Sequence, residues 1–168
     1  MVRRQDPRAY VGAPAFERAR YAWRMATDAD PFDLQRFVAA QARVVADVEA
    51  ELKAGAKTSH WMWFVFPQLK GLGRSSTALH FGLGSLEEAQ AYWRHPVLGA
   101  RLQQCCGWLM ALPQGRTAVQ VFGSIDALKL RSCLTLFERA APDEPVFGQL
   151  LQRYCGGERD AATLALIA

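Results

Sequence analysis

Apolar residues recur at three- and four-residue steps along most of this sequence, and this spacing constrains the fold more than any other feature. Between residues 33 and 54 it defines one amphipathic helix of about six turns, whose stripe consists of Leu34, Phe37, Val38, Gln41, Val44, Val45, Val48 and Leu52. Asp33 is predicted to cap this helix and Gly55 to end it. The sequence lacks the apolar/polar alternation that is typical of half-buried strands.

Capping and stop signals predict further helices with short connections. Ser85 and Glu88 form a capping box for a helix that reaches Arg94, and His95-Pro96 ends it, with Pro96 placed to begin the next helix. Comparable signals predict caps at several other positions: Ser59, Ser75 or Ser76, Ser124 or Asp126, and Asp160. The predicted fold is all-α, a single compact domain of about eight helices in an irregular helical array over residues 30–168.

Residues 1–29 are predicted to form a partly ordered N-terminal extension. Arginines are frequent in this segment, and acidic residues are interspersed among them. An arginine-rich arm can contact nucleic acid, but the interspersed acidic residues make this the less favoured interpretation of the segment.

The cysteines and the apolar runs indicate the compartment. No two cysteines form a Cys-x-x-Cys pair, so we expect small buried thiols that a cytoplasm keeps reduced; the four are Cys105, Cys106, Cys133 and Cys155. The longest apolar run, residues 61–67, is far too short to span a bilayer, and the first ten residues lack an apolar run of signal-peptide length. We therefore predict a soluble cytoplasmic protein without membrane association.

The formal net charge of +4 comes from one segment. Between Leu52 and Leu86 there is no acidic residue, and the four basic residues there equal the net charge of the chain; they are Lys53, Lys57, Lys70 and Arg74. Outside it the basic residues equal the 16 acidic ones in number. The same segment is the most aromatic part of the chain. An anion-binding surface is therefore expected here, although four basic residues are too few to favour nucleic-acid binding.

Three ordered segments resemble a known family. They are residues 59–68 with 71–73 (SHWMWFVFPQ and GLG), residues 95–102 (HPVLGARL), and residues 122–137, which include FG, Asp126 and KLRSCLTLF. This pattern is similar to domain-of-unknown-function family 1810 and covers about residues 32–166. One departure is Cys133, which stands where a second serine is expected after Ser132.

The resemblance implies a compact, mostly helical bacterial domain and no established activity. Members are often labelled "calpastatin", but an inhibitor that wraps a protease as a flexible chain needs few apolar residues. Because 51% of this chain is hydrophobic, that label does not fit.

The aromatic segment and its basic neighbours form the first candidate site. Aromatic faces beside Lys and Arg suit a flat anion such as a nucleotide, and the predicted ligand-binding residues here are Lys57, His60, Trp63, Gln68 and Arg74. The alternative is that most of the segment is core. On a helix, His60, Trp63 and Phe64 share one face while Trp61 and Val65 share another, so the whole run cannot face one ligand.

Two further candidate sites lie in the other matching segments. Asp126, Lys129 and Ser132 follow one helical stripe, and a lysine beside a serine could assist proton removal. The alternative is a capping aspartate, a surface ion pair and a small helix residue. The third candidate, His95 with Arg101, has a purely structural alternative as a junction and a packing residue.

The sequence supports two classes of function. The first is binding, or enzymatic conversion, of a phosphorylated or nucleotide-like small molecule; its catalytic candidates are His60, Lys129, Ser132 and Asp126. The second is a protein–protein interaction module with a helical groove. Neither a metal nor a cofactor is expected, because the histidines are far apart and lack ligand spacing. A composite site requires the His60 and Lys129 motifs to lie close together in the fold.

Overall fold

The computed structural model describes residues 30–168, and the prediction of an extension over residues 1–29 lies outside them. The chain divides between Gln35 and Arg36. Before this division, the carboxylate of Asp30 accepts a hydrogen bond of 3.0 Å from the backbone N–H of Gln35, where the first helix begins. The prediction that Asp33 caps this helix is wrong, since Asp33 has a backbone φ of 51° and Asp30 supplies the oxygen.

The described residues form helices and no extended strand. In chain order the helices are α1 (Gln35–Ala42), α2 (Val45–Ala54), α3 (Met62–Val65), α4 (Ser76–Phe81), α5 (Leu86–Arg94), α6 (Leu98–Ala111), α7 (Ala118–Ala140), α8 (Pro145–Cys155) and α9 (Ala161–Leu166). One isolated parallel bridge joins Leu69 to Leu83. The predicted all-α class is confirmed for this part of the chain.

Helix α7 is the central element of the unit formed by Arg36–Ala168. It packs against α5, α8 and α9, while α6 packs against α2, α5 and α8. The ring of Phe137 in α7 lies 5.5 Å from that of Tyr92 in α5 and 5.7 Å from that of Phe147 in α8. These buried rings join three helices in one apolar core, as expected for amphipathic helices that cover each other's apolar faces.

Several predicted helix ends are confirmed. The Ser75, Ser85 and Asp160 side chains accept hydrogen bonds from backbone N–H groups in the first turns of α4, α5 and α9. Gly55 ends α2 in the left-handed conformation, with φ 65°. The cap predicted at Ser124 or Asp126 is not where α7 begins, since Thr117 caps this helix; the helix has instead a kink just before Ser124, at Gly123, where φ is 77° and ψ is 166°.

Two predictions about the first half of the chain are wrong. The single helix over residues 34–54 is two helices, because Val44 leaves helical geometry and its N–H bonds the carbonyl of Gln41 at 3.0 Å. Neither glycine nor proline marks this break, so the sequence pattern runs through it. Ser59 does not cap α3, because this helix starts after Trp61 without a side-chain cap. The hydroxyl of Ser59 donates to the carboxylate of Glu51 instead.

The capping box and the junction after α5 also differ from prediction. The carboxylate of Glu88 accepts from the N–H of Gly84 at 2.7 Å, one residue before the predicted position, and pairs with Arg36 at 2.6 Å. Helix α6 begins at Leu98, two residues after Pro96, and the ring of His95 accepts hydrogen bonds from the backbone N–H groups of Val97 and Leu98.

The four cysteines are free, and three of them are buried: Cys105, Cys106 and Cys133. Burial raises the pKa of the Cys105 thiol to about 12. Within residues 30–168, we find no helix with the length and apolar character needed to cross a membrane.

Gly99 permits a close approach between the start of α6 and the end of α5. A Cβ at this position would lie 1.9 Å from the carbonyl oxygen of Trp93, at the end of α5. A contact this short with backbone cannot be relieved by a side-chain rotation. The tight turn through His95-Pro96 therefore depends on a glycine in the first turn of α6.

Candidate functional site

Glu51, near the end of α2, organises the segment that leads into α3. Its carboxylate accepts hydrogen bonds from the backbone N–H and hydroxyl of Thr58, from the same two groups of Ser59, and from the indole N–H of Trp61 at 2.8 Å. Burial raises the pKa of Glu51, but these hydrogen bonds, led by that from Ser59, lower it from 4.5 to about 2. Glu51 therefore holds residues 58–61 in place as a carboxylate.

Lys57 joins this segment to α7. Its backbone N–H donates to the carbonyl of Val121 at 2.7 Å, and its ammonium donates to the carbonyl of Ser59 at 2.7 Å. The ammonium also lies 2.6 Å from Oδ2 of Asp126. The Lys57 side chain is only 8% exposed, so its charge is held in a partly desolvated position.

Asp126 receives a lysine on each of its carboxylate oxygens. The second is Lys129, one helical turn further along α7, whose ammonium lies 2.8 Å from Oδ1. Burial raises the pKa of Asp126, but the hydrogen bonds from Lys129 and Lys57 lower it by more, so the pKa remains below its ordinary value. Two ammonium groups share one carboxylate, which leaves one positive charge in excess.

Two indole rings lie beneath these ammonium groups. Nζ of Lys129 lies 4.2 Å from the ring centroid of Trp63, and Nζ of Lys57 lies 5.0 Å from that of Trp61. Both distances are within cation–π range. We call these five residues the lysine–tryptophan cluster: Lys57, Trp61, Trp63, Asp126 and Lys129.

The structure brings the two main predicted motifs together. Lys57 and Trp63 of the first candidate site meet Asp126 and Lys129 of the second. His60 is exposed and lies next to the buried Trp61 in the chain. Arg74 is also exposed, and its neighbour Gly73 lies against the Trp63 ring, where a Cβ would come within 2.6 Å of the indole.

Two other predicted site residues, Ser132 and Gln68, are buried and lie outside the lysine–tryptophan cluster. Ser132 is 8% exposed, and its hydroxyl donates to the carbonyl of Leu128 in the same helix at 3.2 Å. Among the described contacts, Lys129 bonds Asp126 and not Ser132. Gln68 is 4% exposed, and its backbone carbonyl accepts a hydrogen bond from the N–H of Leu83 at the isolated bridge. These positions favour packing and backbone roles for both.

The third candidate pair lies in a different part of the fold. His95 caps α6 through its ring nitrogen, as described above. Arg101 donates to the side-chain oxygen of Gln41 at 3.3 Å, and both line a cavity of about 20 Å³. A cavity of this size holds about one water molecule, so it is too small for a nucleotide.

Sequence reasoning missed Glu51 and Gln41. Glu51 lies near the end of α2, and five donors converge on it. The available signal was the cluster of hydroxyl donors just after a glycine stop. Gln41 is 3% exposed and donates to Tyr92 and to the carbonyl of Phe64. Its position within an apolar stripe was the corresponding signal.

The described residues contain no group of three or more His, Cys, Asp or Glu side chains that could hold a metal ion. The chemistry of the lysine–tryptophan cluster is instead that of cations held on aromatic faces, with one carboxylate between them. Such a cluster can attract an anion and orient it.

The described residues form a small all-α domain with a charged aromatic cluster. Comparisons with known proteins show the family to which this domain belongs. A family model described as "Protein of unknown function (DUF1810)" matches residues 31–167. The chain belongs to this family, as its three motifs predicted.

A solved structure supports the same assignment. The crystal structure of the conserved hypothetical protein Rv1873 from Mycobacterium tuberculosis is similar to this chain, with 54% sequence identity and a TM-score of 0.80. The match covers 82% of this chain and 98% of that chain. The comparison with curated proteins gives no match.

Proposed function

We propose that this protein binds a phosphorylated or nucleotide-like small molecule at the lysine–tryptophan cluster. The observation that carries this proposal is the convergence of Lys57 and Lys129 on the single carboxylate of Asp126, at 2.6 Å and 2.8 Å. Both lysines come from segments that are remote in sequence. The fold therefore assembles a positive centre that neither segment has alone.

The charge balance supports an anionic ligand. Asp126 neutralises one ammonium group and leaves the other without a full counter-charge. The Lys57 and Lys129 side chains are 8% and 19% exposed, so solvent screens them less than ordinary surface lysines. The carboxylate of Asp126 lies between the two lysines and competes with a ligand oxygen for their ammonium groups. A phosphate group would bind on the exposed side of Lys129.

The surrounding residues support an aromatic or sugar-bearing ligand. Trp63 is partly exposed beside Lys129, and His60 and Arg74 are exposed on the segments next to it. Trp and His side chains contact bases and sugars, while Arg matches phosphate oxygens. Because Lys129 lies over one face of Trp63, a base would not stack on that face.

Titration of the full chain with a panel of anions tests this proposal. The probes are inorganic phosphate, ribose 5-phosphate, AMP and ADP, measured by thermal shift and by calorimetry. The Lys129→Met variant is expected to lose at least tenfold in affinity. Lys53→Met is the matched control, because Lys53 also pairs with an acid, Glu49, and lies over a tryptophan ring, but is 56% exposed.

A second variant distinguishes ligand binding from simple packing. Asp126→Asn removes the internal competitor for the lysines, and the gain should be about 1 kcal/mol or more, which is about fivefold in affinity. The proposal is wrong if none of the four probes binds. It is equally wrong if Lys129→Met and Lys53→Met bind them alike.

One observation favours the second candidate function, a protein–protein interaction module. Ile125 and Leu128 flank Asp126 on α7 and are 70% and 59% exposed. A large apolar side chain that remains in water beside a positive centre suits a partner helix with apolar and acidic residues. We propose such an acidic amphipathic helix as the alternative ligand of this surface.

The double variant Ile125→Ser with Leu128→Ser separates the two candidates. If a protein partner uses this face, binding of an acidic amphipathic helical peptide is lost in the double variant while the anion titrations are unchanged. If the peptide does not bind the wild-type chain at all, the interaction module is excluded for this class of partner.

We further propose a cytoplasmic location and a bacterial origin. Support for the location comes from four cysteines that are all free, three of them buried. The similar protein from Mycobacterium tuberculosis supports the origin. Fractionation of cells that express the chain, with marker enzymes for each compartment, tests the location.

A further inference from the structure

A second site lies apart from the lysine–tryptophan cluster, where the end of α6 and the start of α7 meet α8. An open cleft of about 480 Å³ is lined there by Met110 of α6, by residues 114–117 of the connection to α7, and by one face of α8. This volume falls in the range of small-molecule sites, about 300–1,000 Å³. None of the described residues that line the cleft is acidic.

Two guanidinium groups give this cleft its charge. Arg153 donates to the carbonyls of Met110, Leu112 and Pro113, which are neutral acceptors, so its positive charge is not paired with a carboxylate. Arg116 is exposed, and within residues 30–168 its guanidinium makes one hydrogen bond, a long one of 3.5 Å to the carbonyl of Ala54. Arg153 is thus held in place, whereas Arg116 retains donors for a ligand.

The remaining lining residues combine amide donors with an apolar floor. Gln149 and Gln152 are exposed on α8, so their amide groups are accessible from the cleft. The ring of Tyr154 lies 5.3 Å from the guanidinium carbon of Arg153, and its hydroxyl donates to the carbonyl of Leu109. The Tyr154 hydroxyl is therefore occupied, and its ring contributes aromatic surface.

We propose that this cleft binds a small dianion with a compact apolar body. Two arginines without a carboxylate among the lining residues match a charge of −2, and Tyr154 with Met110 can cover a short apolar group. Both a phosphate monoester and a dicarboxylate carry this chemistry. Arg116 makes the direct contact with the oxyanion, and Arg153 supplies fixed charge.

Two probes with the same apolar body distinguish the two sources of the dianion. Phenyl phosphate and phthalate are titrated into the isotopically labelled full chain near pH 8, and binding is followed by amide chemical shifts. We expect amide shifts at Gln114–Thr117 and Gln149–Tyr154. The probe with the lower dissociation constant, phenyl phosphate or phthalate, identifies the preferred class of dianion. Benzoate, with a single charge, is expected to bind at least fivefold more weakly than that anion.

The Arg116→Gln variant tests the role of the guanidinium. We expect at least a tenfold loss of affinity, whereas Arg94→Gln, at an exposed arginine outside the cleft, should leave it unchanged. Arg153 is avoided because it holds three carbonyls at the end of α6. The inference fails if Arg116→Gln binds like the wild type, or if the shifts occur elsewhere. Lys129→Met should not change this binding, so the site is tested independently of the lysine–tryptophan cluster.

Discussion

The ammonium nitrogen of Lys57 lies 2.6 Å from a carboxylate oxygen of Asp126. The two side chains are 8% and 17% exposed, so this is a partly buried ion pair between the segment after α2 and the first half of α7. Lys129 approaches the other oxygen of the same carboxylate at 2.8 Å. The pair is therefore both a tertiary link and the centre of the candidate site.

Removal of the Lys57 ammonium should destabilise the fold more than removal of that of Lys129. Lys57→Met leaves Asp126 with one partner and leaves the carbonyl of Ser59 without its donor. We expect a loss of about 3 kcal/mol, the lower end of the range for breaking a buried pair. Lys129→Met should lose about 1 kcal/mol, since its pair is more exposed. Urea unfolding at pH 7 measures both values.

The double variant Lys57→Met with Asp126→Asn provides the control for this prediction. If the pair interacts directly, the double variant is less destabilised than the sum of the two single variants. Additive losses would show that Lys57 stabilises the fold through its other contacts.

Glu51 makes the stability depend on pH in the acid range. Its pKa falls from 4.5 to about 2 on folding, so its contribution is complete above pH 4.5 and is lost as the pH falls through 2. Glu51→Gln should therefore lower the free energy of unfolding at pH 7 by about 1.5–3 kcal/mol, as expected for hydrogen bonds to a charged group. The difference from the wild type should shrink between pH 4.5 and pH 2.

Glu49 provides the comparison for Glu51, because it lies on the same helix and is exposed with Lys53 as its partner. Glu49→Gln should change the stability by less than about 1 kcal/mol at every pH. A constant difference between Glu51→Gln and the wild type from pH 7 to pH 2 would contradict the assigned pKa.

Gly99→Ala should severely destabilise the protein. The new Cβ would lie 1.9 Å from the Trp93 carbonyl oxygen, and the helix ends must separate to admit it. We expect a loss of about 3 kcal/mol or more, at the upper end for overpacking. Gly107→Ala, in the same helix with nothing within 4 Å of the new Cβ, should be stabilising by about 0.5–1 kcal/mol. Thermal unfolding of the two variants, measured side by side, checks this contrast.

The helices were predictable because their signals are local. The side chains of Ser75, Ser85 and Asp160 each accept a hydrogen bond from a backbone N–H three residues later. Caps that act over so short a distance can be recognised from the sequence alone. The break between α1 and α2 was not predictable in this way. The side chain of Gln41 bonds Phe64 and Tyr92 across the fold there, and no local glycine or proline reports it.

The candidate site was predictable by its members and not by its arrangement. Lys57, Trp63, Asp126 and Lys129 were each singled out, but the bond from Lys57 to Asp126 depends on tertiary packing. The helix-face argument for His60 failed for a local reason. Helix α3 begins only at Met62, so His60 lies outside it and is exposed.

The hydrogen bonds to Glu51 and the ion pair of Lys57 with Asp126 differ in the number of residues in the loop that each contact closes. Glu51 binds residues only 7 to 10 positions away, and short loops of this kind close within about 10–100 ns. Lys57 and Asp126 are instead separated by about half of the helical unit, and closing this longer loop costs more entropy. The segment after α2 can therefore be shaped early in folding, while the positive centre exists only once α7 has docked.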